Sequence, residues 1–124
     1  MQVSDLRVFI PSKNFAQSQA FYRAMGFSMM VINDDLSLFS LGSCSFFLQN
    51  YYNQEFANNL MLQLIVPDIS EAFKMITAIK ETDFRFEAIK QEHWGKVIYL
   101  WEPAGSSCGG EVPSSGSHWH VTFQ

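Results

Sequence analysis

The chain has 124 residues, 48% of them hydrophobic and 16% charged, with a formal net charge of −4. That composition supports one buried core, or two very small fused units, and excludes a disordered chain. With no Lys/Arg cluster and no apolar run near the roughly 18 residues of a bilayer span, it argues against a nucleic-acid binder and a membrane protein. Residues 1–7 lack the basic-then-apolar layout of a secretory signal, so a cytoplasmic location is expected. Cys44 and Cys108 lie outside any Cys-x-x-Cys pair and make neither a disulfide framework nor a structural zinc site. Aromatic residues are out of proportion: 12 Phe, 4 Tyr and 3 Trp exceed what so small a core needs. Some of these rings are expected to line a ligand surface.

Residues 6–10 alternate and are β-rich, which predicts a strand closed by Pro11. Asn14, with Gln17 three residues on, opens a helix whose stripe is Ser18, Phe21, Tyr22 and Met25, and Gly26 stops it. Strands are predicted over 27–32, 36–41 and 45–50, separated by Asn33-Asp34-Asp35 and Gly42-Ser43 turns. After a polar stretch over 51–59 the order restarts. A strand over 60–66 ends at Pro67, and Asp68 with Glu71 caps a second helix carrying Ile69, Ala72, Phe73, Ile76 and Ile79. Further strands are expected over 84–89, 96–101 and 118–123. "FIPSKNFAQSQAF" and "LIVPDISEAF" share a strand, a proline and a capped amphipathic helix. The expected organisation is therefore a single α+β domain made of two β-α-β-β-β modules, 1–52 and 59–124, whose repeated sheet faces need each other for burial.

Side chains alternate across a strand, so each strand carries two sets. Val8, Ile10, Phe46, Leu48, Leu60, Leu62, Leu64, Val66, Ile98, Leu100, Trp119, Val121 and Phe123 form an apolar set that the helices must cover. The opposite set holds Arg7, Phe9, Ser45, Phe47, Gln49, Met61, Gln63, Ile65, Tyr99, Trp101, His118, His120 and Thr122. Rings and a thioether mixed with amides, imidazoles and a guanidinium suit a sheltered concave pocket or a face buried between subunits.

The stretch Ser18-Gln19-Ala20-Phe21-Tyr22-Arg23-Ala24-Met25-Gly26-Phe27 is similar to an "S-x-x-F-Y-x-x-x-G-F" pattern, and Trp101-Glu102-Pro103-Ala104-Gly105 to a "D-P-x-G" turn. With the closing Trp119-His120-Val121-Thr122 and the repeated layout, the chain resembles the vicinal oxygen chelate superfamily over nearly its whole length. That superfamily includes glyoxalase I, bleomycin-resistance proteins, fosfomycin-resistance enzymes and extradiol dioxygenases. The resemblance implies a curved mixed sheet with helices on its convex face, and a homodimer with pockets where subunits or modules meet. In metal-dependent members, His or Glu ligands sit on the first and last strands of both modules. Those positions become Arg7, Phe47, Met61 and His120 here. Only His120 has a suitable donor, so the family's usual metal site is expected to be absent, and a slip of register by one does not restore it.

The remaining candidates keep two readings each. His118 and His120 point to the same side of a strand and can chelate zinc or copper given a third ligand, for which Glu102, Glu111 and His93 are the nearby candidates. Otherwise they are polar anchors in the pocket. Arg7 can pair an anionic group or stack on a ring, or form an ion pair with an acidic residue of the chain. Phe9, Phe47, Tyr99 and Trp101 offer flat surfaces or belong to the core. Cys108 lies in a Gly/Ser-rich stretch, 104–117, expected to act as a flap rather than to position a nucleophile. The expected function is metal-independent binding of a small, partly aromatic molecule, bleomycin-resistance-like, without a cofactor. The ligand-binding residues would be Arg7, Phe9, Phe47, Gln49, Met61, Gln63, Tyr99, Trp101, His118 and His120. The alternatives are a glyoxalase-like lyase or dioxygenase using a divalent metal on His118 and His120, and a module that buries its aromatic face against a partner protein.

Overall fold

The structure, a computed structural model, describes residues 1–103 and 117–123, the last without its side chain. Except for Ser117, the expected flap, with Cys108 and Glu111, lies outside the described residues. The elements are β1 (Phe9–Pro11), α1 (Phe15–Ala24), β2 (Ser28–Asn33), β3 (Leu36–Leu41), β4 (Cys44–Gln49) and α2 (Gln54–Asn59). They continue with β5 (Met61–Val66), α3 (Ile69–Thr77), β6 (Arg85–Phe86), β7 (Lys90–Glu92), β8 (Gly95–Trp101) and β9 (His118–Phe123).

The strands form two mixed sheets built to one plan. The first has the order β1-β4-β3-β2, with β1 parallel to β4 and the other pairs antiparallel. The second has the order β5-β9-β8-β6, with β5 parallel to β9 and both β6 and β7 antiparallel to β8. In each, the strand that precedes the capped helix lies beside the last strand of its half.

Local chemistry explains the starts of α1 and α3 and the end of α1. Asn14 accepts a hydrogen bond from the Gln17 amide at 3.1 Å, and Asp68 accepts from the amides of Ser70 and Glu71. Both satisfy amides that a helix start leaves unpaired. Gly26, just past α1, has φ +107°, a conformation that a side chain disfavours.

Three regions depart from the expected pattern. The first strand is shorter than 6–10 and leaves Arg7 ahead of it. The stretch 51–59 contains α2, because Asn53 caps it by accepting from the Phe56 amide at 2.8 Å. Of the strand expected over 84–89 only Arg85–Phe86 pairs, as β6, and an unforeseen short strand, β7, follows beyond that range. Phe86 lies opposite Leu100 and Lys90 opposite Val97, so three intervening residues face two, and this bulge separates β6 from β7. The edge strand β2 has a register shift of its own between Val31 and Asn33. Bulges at an edge discourage pairing with another chain's strand.

The core joins the two halves. Tyr22 of α1 is fully buried and packs its ring against Phe46 at 4.9 Å and Phe39 at 5.5 Å in the first sheet, and against Trp119 at 5.8 Å in the second. Ile69 and Ile76 of α3, with Ile79 beyond it, belong to the same cluster as Ile10, Leu48, Ile98 and Val121. Full burial of each such side chain favours folding by about 1.5–3 kcal/mol. The described side chains of the apolar strand set thus face inward, as alternation requires, and Val8, Leu60, Leu62, Leu64 and Val66 pack at its margin.

Candidate functional site

The opposite faces of the two sheets carry the candidate ligand residues, in two groups. On the first sheet, Phe9 lies across from Phe47, and the two rings stack with centroids 4.7 Å apart and planes 17° from parallel. Phe9 remains 45% exposed, although it belongs to a strand pair. The Arg7 guanidinium stands 5.8 Å from the centre of the Phe47 ring, while its Nε donates to Asp5 Oδ2 at 3.1 Å. The ion pair and the ring contact foreseen as alternatives for Arg7 are therefore made together. Gln49 is half-buried at the end of β4, where its carbonyl accepts from Ser12 Oγ.

On the second sheet the register sets up two rows. Met61, His118, Trp101 and Arg85 form one, and Gln63, His120 and Tyr99 the other. Arg85 lays its guanidinium 4.1 Å over the Trp101 ring. Trp101 stacks on His118 at 5.9 Å, His118 lies 5.2 Å from His120, and Tyr99 meets His120 edge-on at 4.7 Å. Tyr99 Oη donates to Glu92 Oε1 at 3.2 Å, and Gln63 Nε2 donates to Thr122 Oγ1 at 3.1 Å. Met61 and Gln63 are exposed, and the four rings are half-buried. Partial burial lowers the pKa of His118 and of His120, and His118 adds to the effect on His120. Both imidazoles are thus held toward their neutral forms, with a free lone pair each. Burial, and then the nearby Glu92, raise the Tyr99 phenol.

Arg85 and Glu92 belong to this cluster and were not singled out in the sequence. Their contacts depend on the bulge between β6 and β7, which no local pattern announces. Glu102 has a different place from the loop ligand position considered for it. It is 4% exposed and accepts from Ser18 Oγ at 2.6 Å and Tyr22 Oη at 2.8 Å, while Trp119 Nε1 donates to Tyr22 Oη at 3.0 Å. Burial pushes its carboxyl up to about 8, against the lowering effect of the two hydroxyls. This network ties α1 to the second sheet inside the core and cannot reach a ligand on the outward face. A signal existed: Glu102 continues the alternation of Ile98 and Leu100, which points it inward.

A cavity of about 310 Å³ lies away from these faces, walled by Met25, Phe27, Leu64, Val66 and Ile76 with Cys44 among its lining. Its walls are almost wholly apolar, whereas recognition sites combine apolar surface with a few convergent polar groups. The sheet faces hold that combination.

Of the four positions where the resemblance implies metal ligands, Arg7, Phe47, Met61 and His120, only His120 carries a suitable donor. Phe47 is stacked on Phe9, Met61 offers a single exposed thioether, and Arg7 is a cation. Among the described residues no three His, Cys, Asp or Glu side chains come together as a metal site. No helix among them is long and apolar enough to cross a membrane.

No protein-family model and no curated protein matches the sequence. Solved structures do match in shape. A bleomycin-binding protein complexed with bleomycin superposes with a TM-score of 0.73 at 18% identity, covering 98% of this chain and 99% of that one. The bleomycin-binding protein of bleomycin-producing Streptomyces verticillus, complexed with copper(II)-bleomycin, gives 0.69 at 13% identity over 99% and 96% of the two chains. Lactoylglutathione lyase from Agrobacterium tumefaciens gives 0.67 at 16% identity, again over 99% and 96%. The chain therefore has the fold shared by these bleomycin-binding proteins and the lactoylglutathione lyase.

Proposed function

We propose that this protein binds a small, partly aromatic molecule on its outward sheet faces, without chemical turnover and without a resident metal, in the manner of the bleomycin-binding proteins whose fold it shares. The observation that carries the proposal is the run of half-buried rings from Trp101 through His118 and His120 to Tyr99, edged by the Arg85 guanidinium. Rings kept partly open to solvent on a face turned from the core leave edges and partly exposed apolar surface for a ligand to meet, beside the contacts they make with one another and with Arg85. A flat ligand gains about 0.5–1.5 kcal/mol per stacked ring beyond simple burial. The binding residues in this proposal are Arg7, Phe9, Phe47 and Gln49 on the first sheet, and Met61, Gln63, Tyr99, Trp101, His118 and His120 on the second.

Each sheet offers one wall. We therefore read the protein as a homodimer in which a second copy helps close the pocket, each chain being a single domain of modules 1–52 and 59–124. Cys44, exposed and free among the described residues, is in keeping with a cytoplasmic location, where thiols stay reduced. The lyase or dioxygenase alternative lacks the donors its chemistry needs at the matching strand positions. The test is a fluorescence titration with planar aromatic compounds, alongside sedimentation to establish the oligomer. Binding that quenches tryptophan emission and weakens about tenfold in Trp101→Ala supports the proposal. Turnover of a hemithioacetal or catechol by metal-loaded protein would replace it with the enzyme.

A further inference from the structure

The apolar cavity between the two halves is used by neither outward sheet face. Met25 and Phe27, which join α1 to β2, form its floor together with Ile76 of α3 and Val121 of β9, and all four are buried. Leu41 at the end of β3, Ile65 of β5 and Met75 of α3 also line it but remain exposed, so they rim its mouth. Apolar surface thus reaches from solvent into the core. The volume of about 310 Å³ falls in the range of small-molecule sites, and is about twice the roughly 150 Å³ that admits benzene. Among the described residues, none of the proposed sheet-face site lines it.

The chemistry of the walls sets the class of guest. No described residue that lines the cavity is charged, and the Cys44 thiol is its one weakly polar side chain. Water inside it finds few of the polar partners that would hold it, so an apolar guest gains by displacing that water. A charged guest would shed its hydration with nothing to replace it. Met25 and Met75 are unbranched and polarisable, so they adjust to a guest's outline and favour contact with an aromatic ring. We infer that this cavity is a second binding site, separate from the outward sheet faces, for an uncharged aromatic molecule of one or two rings. Size and apolarity select the guest there, because no polar group converges to fix its orientation. The inference stands on the cavity alone and does not depend on the sheet-face proposal.

The probe is naphthalene, titrated into the full chain with isotope-labelled methionine methyl groups and followed by NMR. A ring that enters the cavity shifts the methyl signals of Met25 and Met75, whereas Met61, exposed on the outward face of β5, reports the sheet-face site. The expected result is saturable shifts at Met25 and Met75 with one common midpoint. Naphthoate, which adds a carboxylate to the same rings, should bind there about tenfold more weakly or worse. Ala72→Leu puts a larger side chain from α3 into the space and should abolish both shifts, since Leu suits a helix nearly as well as Ala. No shift at Met25 and Met75, equal binding of naphthoate, or full shifts in a folded Ala72→Leu variant overturns the inference. A response at Met61 alone overturns it too and leaves the sheet-face proposal standing. Because the two titrations use the unaltered chain, a folding defect in the variant cannot leave the question open.

Discussion

Substituting Glu102 by Gln tests the buried network that joins the two halves. Glu102 is nearly inaccessible, is contacted by Ser18 and Tyr22 of α1, and has its carboxyl pushed from 4.5 to about 8 by burial. In the unfolded chain the carboxyl loses its proton near its ordinary value, whereas the folded chain keeps it to higher pH. Between those values the folded state binds one more proton than the unfolded state, so stability falls as pH rises. The contribution is fully present below about pH 4.5 and is lost by the time pH passes 8. At about 1.4 kcal/mol per pH unit, the span from 4.5 to about 8 is worth about 5 kcal/mol. Gln keeps the shape and a carbonyl oxygen for Tyr22 but cannot ionise. Urea denaturation of both proteins from pH 5 to 9 should show a wild-type stability that declines more steeply, by several kcal/mol across the range. Above pH 8 the variant should be the more stable of the two. Other groups titrate alike in both proteins and cancel in the difference. Parallel stability curves would refute the claim that Glu102 is neutral in the folded core.

Tyr22→Phe removes the hydroxyl that accepts from Trp119 and donates to Glu102, leaving two buried polar atoms without that partner. Denaturation at pH 6 should show a loss of about 1–3 kcal/mol. Gly26→Ala meets no atom within 4 Å, so its cost is purely conformational at φ +107°. A loss of about 1–2 kcal/mol with an unchanged denaturant slope is the expected outcome. Asp68→Ala removes a side chain that caps two amides of α3, whereas Asn14→Ala removes one bond at α1. Losses of about 1 kcal/mol are expected, with the larger at Asp68, measured as midpoint shifts in urea.

The legible parts of this protein are those set by neighbours in the chain. Asn14 and Asp68 act through amides two or three residues away, so both long helices begin where the side chains indicate. Strand alternation is equally local, and it separates the buried Phe46, Leu48, Ile98 and Leu100 from the half-buried Phe47, Tyr99 and Trp101. The same cap logic applied to Asn53 would have found α2.

What the sequence by itself determined, then, is the repeated element plan and the division of each strand into an inward and an outward set. Only the tertiary structure decided which outward residues meet. Arg85 reaches Trp101 because a bulge sets β6 against β8, and Phe9 reaches Phe47 because β1 runs parallel to β4. It also decided that Glu102 ends inside the core beside Ser18 and Tyr22, more than seventy residues earlier in the chain. The physical reason is range. Caps and alternation are fixed by bonds between near neighbours, whereas strand order, register and the pairing of buried polar groups are settled by packing two sheets around shared helices, which no local pattern encodes.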